Sequence, residues 1–426
     1  SIYNDNDKYH PVSYVPGLGF GSAVKNQPGF PNNFLPSADG NGFTGKNTLE
    51  TAGPTNDFAT GASQRVKLGG QTINSLGIQG GGFGASNIPL TFQNTNDTLT
   101  IATGWLAMWF QQTQIGETTN RGAITSGHSE LFMLGGYQGA WGDAGNVNRI
   151  HSVIKDNGLG PVMFSMNLGR HTYLSANNTY SGGTIVNGML AREAGSSFRN
   201  NLFLSGDPGT VAIPNALDPS KGLVITGADV VMEVNGGQIG SSNRVTLNGA
   251  STLRLVENNT LAGLVFNGNG GAPSPTLNPV GVLTLTGGIA STPSDASFTS
   301  IISGGVIDFA SATTHVAVAS LPEGVYVNGM GPMVGLSISS VIQNGGLAKT
   351  GSGVLSLTGN NTFSGQLSVD SGVLSVGGIN GENADGPLGN SGLPVILGTE
   401  TWSATLAYTG GSASTTKRFS LPTSGS

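Results

Sequence analysis

The sequence offers few residues in the types and spacings that chemistry at a protein site requires. Its five histidines stand at positions 10, 128, 151, 171 and 315. None of them belongs to a His-x-His or His-Glu-x-x-His pattern, and the absence of cysteine leaves few ligands for zinc. The segment Gly127-His128-Ser129-Glu130 lacks the Gly-x-Ser-x-Gly pattern of a nucleophile elbow, and we interpret it as the edge of a strand. We therefore expect no catalytic residue, no metal site and no cofactor.

Three other segments resemble known sites only in part. The glycine clusters at residues 17–21 and 80–84 suggest phosphate loops, but neither opens a helix or is followed by a lysine. Asp5-Asn6-Asp7 lacks the glycine and the terminal glutamate of a calcium loop, which favours a solvated acidic patch. Polysaccharide-active enzymes need paired carboxylates, or a carboxylate beside a basic residue, and acid pairs are rare in this chain. Such an enzyme is the last of our alternatives.

Aromatic residues are concentrated in one short region of the chain. The cluster consists of Trp105, Trp109, Phe110, Tyr137 and Trp141. Aromatic side chains are enriched both in subunit contacts and in surfaces that stack on sugars, so the cluster is a candidate for either role. The alternative is a cap or a thickened core in the first coils of a repeat body.

The composition limits the class of protein and of partner. Only 9% of the 426 residues are charged, whereas 37% are hydrophobic and 70 are glycine, so a sizeable core is possible. The net charge of −6 and the scattered positions of the 17 basic residues predict no nucleic-acid partner. No run approaches 18 apolar residues, which predicts that the chain is not an integral membrane protein.

The composition and the periodicity of the sequence change near residue 65. Residues 1–64 are rich in proline, glycine and aromatic residues without a regular period, which predicts an irregular N-terminal arm or cap rather than central strands. Residues 65–426 consist of short alternating segments bounded by glycine or Asn-Gly, which is typical of strands joined by tight turns. In one such strand we expect Leu253 to point inward and Thr252 to point outward. The first residue is Ser1 rather than Met, which fits a processed chain or a part of a longer one.

One segment of this body occurs twice. Residues 173–190 read YLSANNTYSGGTIVNGML and residues 357–374 read LTGNNTFSGQLSVDSGVL. With their lead-in segments the copies extend over about residues 152–190 and 340–376, so a unit of more than 30 residues has been duplicated. Asn177-Asn178 and Asn360-Asn361 recur at the same place in both copies. They are either a ladder of amides along a stack of coils or exposed turn residues.

The second copy resembles the autotransporter-associated β-strand repeat of large exported bacterial proteins. Residues 349–365, KTGSGVLSLTGNNTFSG, match a Lys-x-Gly-x-Gly-x-Leu-x-Leu-x-Gly-x-Asn-Thr-aromatic-x-Gly signature, and residues 371–374 supply its Gly-x-Leu ending. In the first copy, residues 165–171 depart from the lysine and the paired glycines of the signature. The resemblance covers about residues 65–426.

The resemblance implies an all-β fold, a right-handed parallel β-solenoid (β-helix), in a protein exported to the bacterial surface or the extracellular space. We expect a structural protein that is not an enzyme and that self-associates into a filament, a sheath or a surface layer, with the N-terminal arm lying on its own solenoid or on a neighbouring subunit. The alternative is an adhesin that binds glycans, matrix or host proteins, or other cell-surface components.

Overall fold

A computed structural model describes most of the chain. The described residues are 2–5, 8–15, 19–22, 48–51, 64–66, 68–73, 75–79, 88–109, 113–135, 147–169, 171–188, 201–232, 234–268, 274–294, 298–321 and 333–422. They divide into two compact units, Ser1–Asp218 and Pro219–Ser426. The predicted division between an arm at 1–64 and a body at 65–426 does not coincide with this boundary.

The first strands form a small antiparallel sheet of their own. They are β1 (Ile2–Asp5), β2 (Lys8–Val15) and β3 (Gly19–Ser22). β2 lies in the middle, with Pro11 opposite Ile2 of β1. The expectation that this proline-rich stretch contains no central strand is therefore wrong. Proline lacks only the N–H group, so its carbonyl group can still accept a hydrogen bond from a neighbouring strand.

The remaining strands of the first unit are short and similar in length. They are β4 (Thr48–Thr51), β5 (Gln64–Val66), β6 (Gln71–Ile73), β7 (Ser75–Gln79), β8 (Ile88–Phe92), β9 (Thr98–Ile101), β10 (Trp105–Trp109), β11 (Thr113–Ile115), β12 (Ala123–Ser126), β13 (Glu130–Gly135), β14 (Val147–Ile150), β15 (Val153–Ile154), β16 (Met163–Leu168), β17 (His171–Leu174), β18 (Thr184–Gly188) and β19 (Asn201–Leu204).

These strands form three parallel sheets that the chain visits in turn. Within the first unit, the first sheet has the order β4-β7-β10-β13-β16-β18 and the second has the order β5-β8-β11-β14-β17-β19. The third sheet, β6-β9-β12-β15, is shorter. Each strand pairs with the strand one coil earlier and the strand one coil later, which is the topology of a parallel β-solenoid. The ladder includes β4, so it begins before the predicted boundary at residue 65.

The second unit continues with strands of the same kind and one 3₁₀ turn at Pro219–Lys221. Its strands are β20 (Leu223–Thr226), β21 (Asp229–Met232), β22 (Arg244–Asn248), β23 (Thr252–Leu255), β24 (Asn259–Leu261), β25 (Gly263–Asn267), β26 (Thr276–Pro279), β27 (Val282–Leu285), β28 (Ile289–Thr292), β29 (Ser300–Ile302), β30 (Val306–Asp308), β31 (Thr313–Val318), β32 (Val334–Ile338), β33 (Val341–Gln343), β34 (Gly346–Thr350), β35 (Val354–Leu357), β36 (Leu367–Val369), β37 (Gly372–Val376), β38 (Val395–Leu397), β39 (Ala404–Tyr408) and β40 (Phe419–Ser420).

The second unit has the same three-sheet topology. Its first sheet runs β20-β22-β25-β28-β31-β34-β36-β38-β40, its second runs β21-β23-β26-β29-β32-β35-β37-β39, and its third is β24-β27-β30-β33. All described pairs in these sheets are parallel, so each unit is a parallel β-solenoid and the predicted fold class is confirmed. No helix among the described residues is long and apolar enough to cross a membrane.

The core consists of apolar columns that run from coil to coil. In the first sheet of the first unit, consecutive partners are Leu76, Leu106, Met133, Met166 and Val186. All five are completely buried. Burial of one such side chain contributes about 1.5–3 kcal/mol, so a column stabilises the stack through a contribution from each coil. The period-two alternation of the sequence is what places these side chains on one face.

Leu253 of β23 is completely buried, as the alternation predicts. Thr252 is only 8% exposed, although it shares the opposite face of the strand with Arg254. Arg254 is the exposed residue of this strand.

Replacing Leu253 by Asp should disrupt the second unit, whereas Arg254→Asp should be tolerated. The first change removes about 2–3 kcal/mol of burial and leaves an unpaired charge in the core, which costs several kcal/mol more. The second changes a solvated side chain and should shift the free energy of unfolding by about 0.5 kcal/mol or less. Urea unfolding of both variants checks this, and equal midpoints would contradict the assigned facing.

Candidate functional site

The first repeat copy ends an inward column of the third sheet. In the first unit, consecutive partners Leu99, Ile124 and Ile154 are buried, and Asn178 follows Ile154 in the next coil. Asn178 Oδ1 accepts a hydrogen bond from Ile154 N at 2.8 Å, and Asn178 Nδ2 donates to Ala212 O at 2.7 Å. A carboxamide carries the same acceptor and donor as a peptide group. Asn178 therefore continues the backbone ladder with its side chain.

The second copy does the same in the second unit. Asn361 is completely buried and follows Ile342, the last residue in an inward column of the third sheet. Its Oδ1 accepts from Ile342 N at 2.9 Å, and its Nδ2 donates to Pro387 O at 3.1 Å. The same column begins with another buried asparagine, Asn259, whose Oδ1 accepts from Gly237 N at 3.0 Å. Asparagine thus marks both ends of this sheet.

These contacts decide between the two interpretations of the Asn-Asn pairs. The second asparagine of each pair is a buried bridge between coils, and the first, Asn177 or Asn360, is exposed. Each bridging asparagine binds backbone groups rather than another asparagine. The prediction of a ladder in which one amide side chain binds the next is therefore wrong for these residues. Amide pairs do occur on the first sheets, from Asn187 Nδ2 to Asn167 Oδ1 at 3.1 Å and from Asn267 Nδ2 to Asn248 Oδ1 at 2.9 Å.

The aromatic residue of each copy fills the core beside the bridging amide. Tyr180 and Phe363 are 1% and 0% exposed. The Tyr180 ring meets the Phe164 ring edge-on at 5.9 Å, and its hydroxyl group lies 2.7 Å from Thr184 Oγ1. Burial raises the pKa of Tyr180 because the phenolate would be desolvated. The aromatic residue therefore supplies apolar volume at the corner, while its polar end has a partner.

The lysine of the signature is a buried clamp. Lys349 stands in an inward column between Val316 and Val369 and is completely buried. Its Nζ donates to Thr350 O at 3.0 Å, to Ser371 O at 2.9 Å and to Gly351 O, so three carbonyl groups on two coils receive its N–H groups. Burial lowers the pKa of Lys349 to about 8, and the Asp370 carboxylate opposes this shift. The clamp ties the corner after β34 to the corner before β37.

The clamp also explains the glycine in the Gly-x-Leu ending. Gly372 has a φ of +72°, and a Cβ atom there would lie 2.5 Å from Gly351 O and 2.8 Å from Lys349 Nζ. Only glycine fits this conformation and this close approach. In the first copy, Met166 occupies the place of Lys349 relative to the bridging asparagine and is buried in β16. The first copy therefore keeps the bridge without the lysine clamp.

Trp105 is the one residue of the predicted aromatic cluster whose side chain belongs to the described part of the chain. Trp105 begins β10 and, with its register partner Phe132, packs against Ala107 and Leu134. Trp109 ends β10, but its side chain lies outside the described part of the chain. The other three residues, Phe110, Tyr137 and Trp141, are also outside it. A binding or subunit-contact role for this cluster stays a prediction.

A second aromatic group was not anticipated from the sequence. On the outer face of the second sheet in the first unit, Arg149, Tyr173 and Phe203 follow one another in register. The Arg149 guanidinium lies 5.4 Å from the centre of the Tyr173 ring, and the Tyr173 and Phe203 rings stack at 4.6 Å with an angle of 17°. His171 meets Phe203 edge-on at 5.4 Å. We call these four residues the outer aromatic column.

The other segments considered for chemistry are turns or lie partly outside the description. Residues 127–129 form the turn between β12 and β13, with Glu130 at the start of β13, and Glu130 Oε1 accepts from Ser165 Oγ. Asp5 ends β1, and Asn6 and Asp7 lie outside the described residues. Among the described residues, no group of three or more His, Asp or Glu side chains could hold a metal ion.

Removing the bridging amide should destabilise the second unit much more than removing its neighbour. Asn361→Ala leaves the buried Ile342 N–H group and the half-buried Pro387 carbonyl group without this partner, and a buried group of this kind costs about 1–3 kcal/mol. Asn360→Ala changes an exposed side chain and should cost about 0.5 kcal/mol or less. Calorimetric melting of the two variants measures the difference. Equal melting temperatures would show that Asn361 carries no ladder bonds of consequence.

Comparison with known sequences agrees with this geometry. The sequence model of the passenger-associated transport repeat matches residues 172–188 and 347–376. The first match contains Asn178 and Tyr180, and the second contains Lys349, Asn361 and Gly372. Searches for similar curated proteins and for similar solved structures returned no match. The chain therefore carries two copies of the passenger-associated transport repeat, which confirms its resemblance to the autotransporter-associated β-strand repeat.

Proposed function

We propose that this chain is a non-catalytic structural scaffold, exported to the bacterial surface or the extracellular space, that assembles with further copies of itself into a filament, a sheath or a surface layer. The passenger-associated repeat and the parallel β-solenoid fit the passenger domain of an autotransporter. The export and the assembly are the parts that we propose.

The observation that carries the proposal is the use of buried polar side chains between coils. Asn178, Asn361 and Lys349 each bind backbone groups of other coils. The half-buried Asp156 carboxylate adds to these contacts, since it accepts from Val162 N at 2.7 Å and from Ser181 N at 2.9 Å. An active site would direct such groups at a common point where a substrate can bind. Here they are distributed along the stack, where they hold coils together.

Lys417 extends this pattern to the end of the described chain. It is 5% exposed, and its Nζ donates to Gly389 O at 2.9 Å and to Ser391 O at 2.6 Å. Burial lowers the pKa of Lys417, and Glu382 opposes the shift. Like Lys349, it satisfies carbonyl groups at a corner rather than facing solvent.

The outer face of the second sheet in the second unit favours assembly. Ser337, Ser356 and Ser375 follow one another in register on this face, and Ala407 continues the column. All four side chains are small and uncharged, so a second flat face can approach without steric or electrostatic opposition. With only 9% charged residues in the whole chain, repulsion between copies is weak.

We expect regular filaments or sheets from the purified chain in negative-stain electron microscopy at rising concentration. Ser356→Lys should prevent this assembly without lowering the melting temperature, because it places a charge on the outer face while leaving the core intact. Ser356→Ala is the matched control and should assemble. Isolated particles at every concentration, or unchanged assembly of Ser356→Lys, would refute assembly through this face, and the former result would refute self-assembly altogether.

The outer aromatic column favours an adhesin as the second candidate. Tyr173 and Phe203 are half-buried stacked rings on the outer face, and Arg149 adds a cation over the Tyr173 ring, which suits a glycan that carries hydroxyl and carboxylate groups.

Tyr173→Ala should abolish glycan binding on an array without changing the oligomeric state, because it removes the central ring of the column. Tyr408→Ala, at an exposed aromatic residue of the second unit, is the matched control and should bind like the unaltered chain. If the unaltered chain binds no glycan, or if Tyr173→Ala binds equally well, the adhesin alternative fails at this surface.

A further inference from the structure

One guanidinium group connects successive coils of the first unit at a single corner. Arg121, in the turn between β11 and β12, shares the two N–H groups of Nη1 among three acceptors, which are His151 O at 3.2 Å, Ser175 O at 3.0 Å and Ser175 Oγ at 3.1 Å. Its Nη2 lies 3.6 Å from Asp207 Oδ2. We call Arg121, His151 and Ser175 the corner latch. It holds the corner after β11 against the corners after β14 and β17.

The His151 imidazole and the Arg121 guanidinium share one hydroxyl oxygen in the latch. His151 Nδ1 lies 2.6 Å from Ser175 Oγ. Arg121 uses one lone pair of this oxygen, so with a neutral imidazole the hydroxyl group can donate its hydrogen to the lone pair of Nδ1. The imidazole is then the tautomer with its hydrogen on Nε2. Protonation of Nδ1 would turn the hydroxyl hydrogen away, and the oxygen would then accept from two cations, the imidazolium and the guanidinium.

The charges around His151 oppose its protonation. Its pKa is lowered by burial, and the neighbouring Arg121 and Arg149 guanidinium groups lower it further. The Arg149 side chain also lies over the Tyr173 ring. Two carboxylates belong to the surrounding elements. The Asp207 carboxylate approaches Arg121, but its side chain is 84% exposed, so water and salt screen its charge. Glu117 lies in the same turn as Arg121, and its backbone N–H group donates to Asn120 O.

We propose that the corner latch is an acid-sensitive device that opens the first unit locally when His151 gains a proton. The half-buried imidazolium would lie against the Arg121 guanidinium at one shared oxygen, so Arg121 and Ser175 would separate and the corner would lose its cross-coil bonds. This property is independent of the proposed scaffold role. It predicts a response to acidification at the corner that follows β11, β14 and β17, rather than in every coil of the first unit.

The sign of the effect follows from proton binding. An unfolded or opened chain protonates His151 at its ordinary value near 6.5, whereas the closed corner protonates it only at lower pH. The open state therefore binds more protons below about pH 6.5. The stability of the closed corner is fully present above this pH and is lost as the pH falls below it.

His171 provides an internal control on the same sheet. It is also half-buried and its pKa is lowered by burial, and its Nδ1 accepts from Asn201 N at 3.1 Å. It does not belong to the Arg121 cluster, so removing its titration should leave the latch intact.

Hydrogen exchange followed by mass spectrometry on the whole chain at pH 7 and pH 5, corrected for the intrinsic pH dependence, tests the device. We expect exchange of the backbone amides near Arg121, His151 and Ser175 to rise severalfold at pH 5 in the unaltered chain. His151→Gln keeps a hydrogen-bond acceptor that does not titrate, so this rise should disappear. His171→Gln should retain it. The same rise in His151→Gln as in the unaltered chain would overturn the proposal.

A second measurement covers the case in which His151→Gln does not fold. An NMR titration of the five histidines in the unaltered chain gives the pKa of His151 directly, with resonances assigned through variants at the other four positions. We expect it to lie below the ordinary value and its titration to coincide with the increased exchange at the corner. A pKa at or above the ordinary value, or exchange that changes without this titration, would also overturn the proposal.

Discussion

The structure depends on one constraint, which is that every coil must satisfy the backbone hydrogen bonds of the coil before it. In a parallel stack the sheets satisfy these bonds wherever strands lie in register. At the corners such bonds continue only in part: Gly365 N still donates to Gly345 O at 2.7 Å, but where the chain turns away from the ladder other N–H and C=O groups need side-chain partners. A buried backbone group without a partner costs as much as a lost hydrogen bond. Asn178, Asn361 and Lys349 are placed where that cost would arise.

The need to satisfy backbone groups at the corners explains each residue of the repeat signature. Its asparagine replaces a missing strand, its aromatic residue fills the space beside the amide, its lysine satisfies three carbonyl groups, and its glycine allows the next coil to approach the lysine. Each position of the signature meets a different physical requirement of the same corner. The first copy shows that the demands are separable, since Met166 replaces the lysine while Asn178 retains the bridge.

The features of the fold that could be predicted from the sequence are those that depend on residues close together in the chain. Alternation identified strands, and the recurrence of Asn-Asn-Thr-aromatic located both corners. Register could not be predicted, because coils differ in length: Arg121 reaches His151 over 30 residues, and His151 reaches Ser175 over 24. A column such as Arg149, Tyr173 and Phe203 has no fixed period to reveal it. Pro11 in a central strand and the burial of Thr252 were missed because each depends on the local course of the chain rather than on residue type.

The bridging asparagines also bear on how such a chain can change over generations. Asn178 reaches a carbonyl group 34 residues further along the chain, and Asn361 reaches one 26 residues further. An amide that recognises its partner through space is indifferent to the length of the segment between them. Residues can therefore be gained or lost in the intervening loop while the coils on either side keep their alignment. A protein built in this way can diversify its loops without refitting its core.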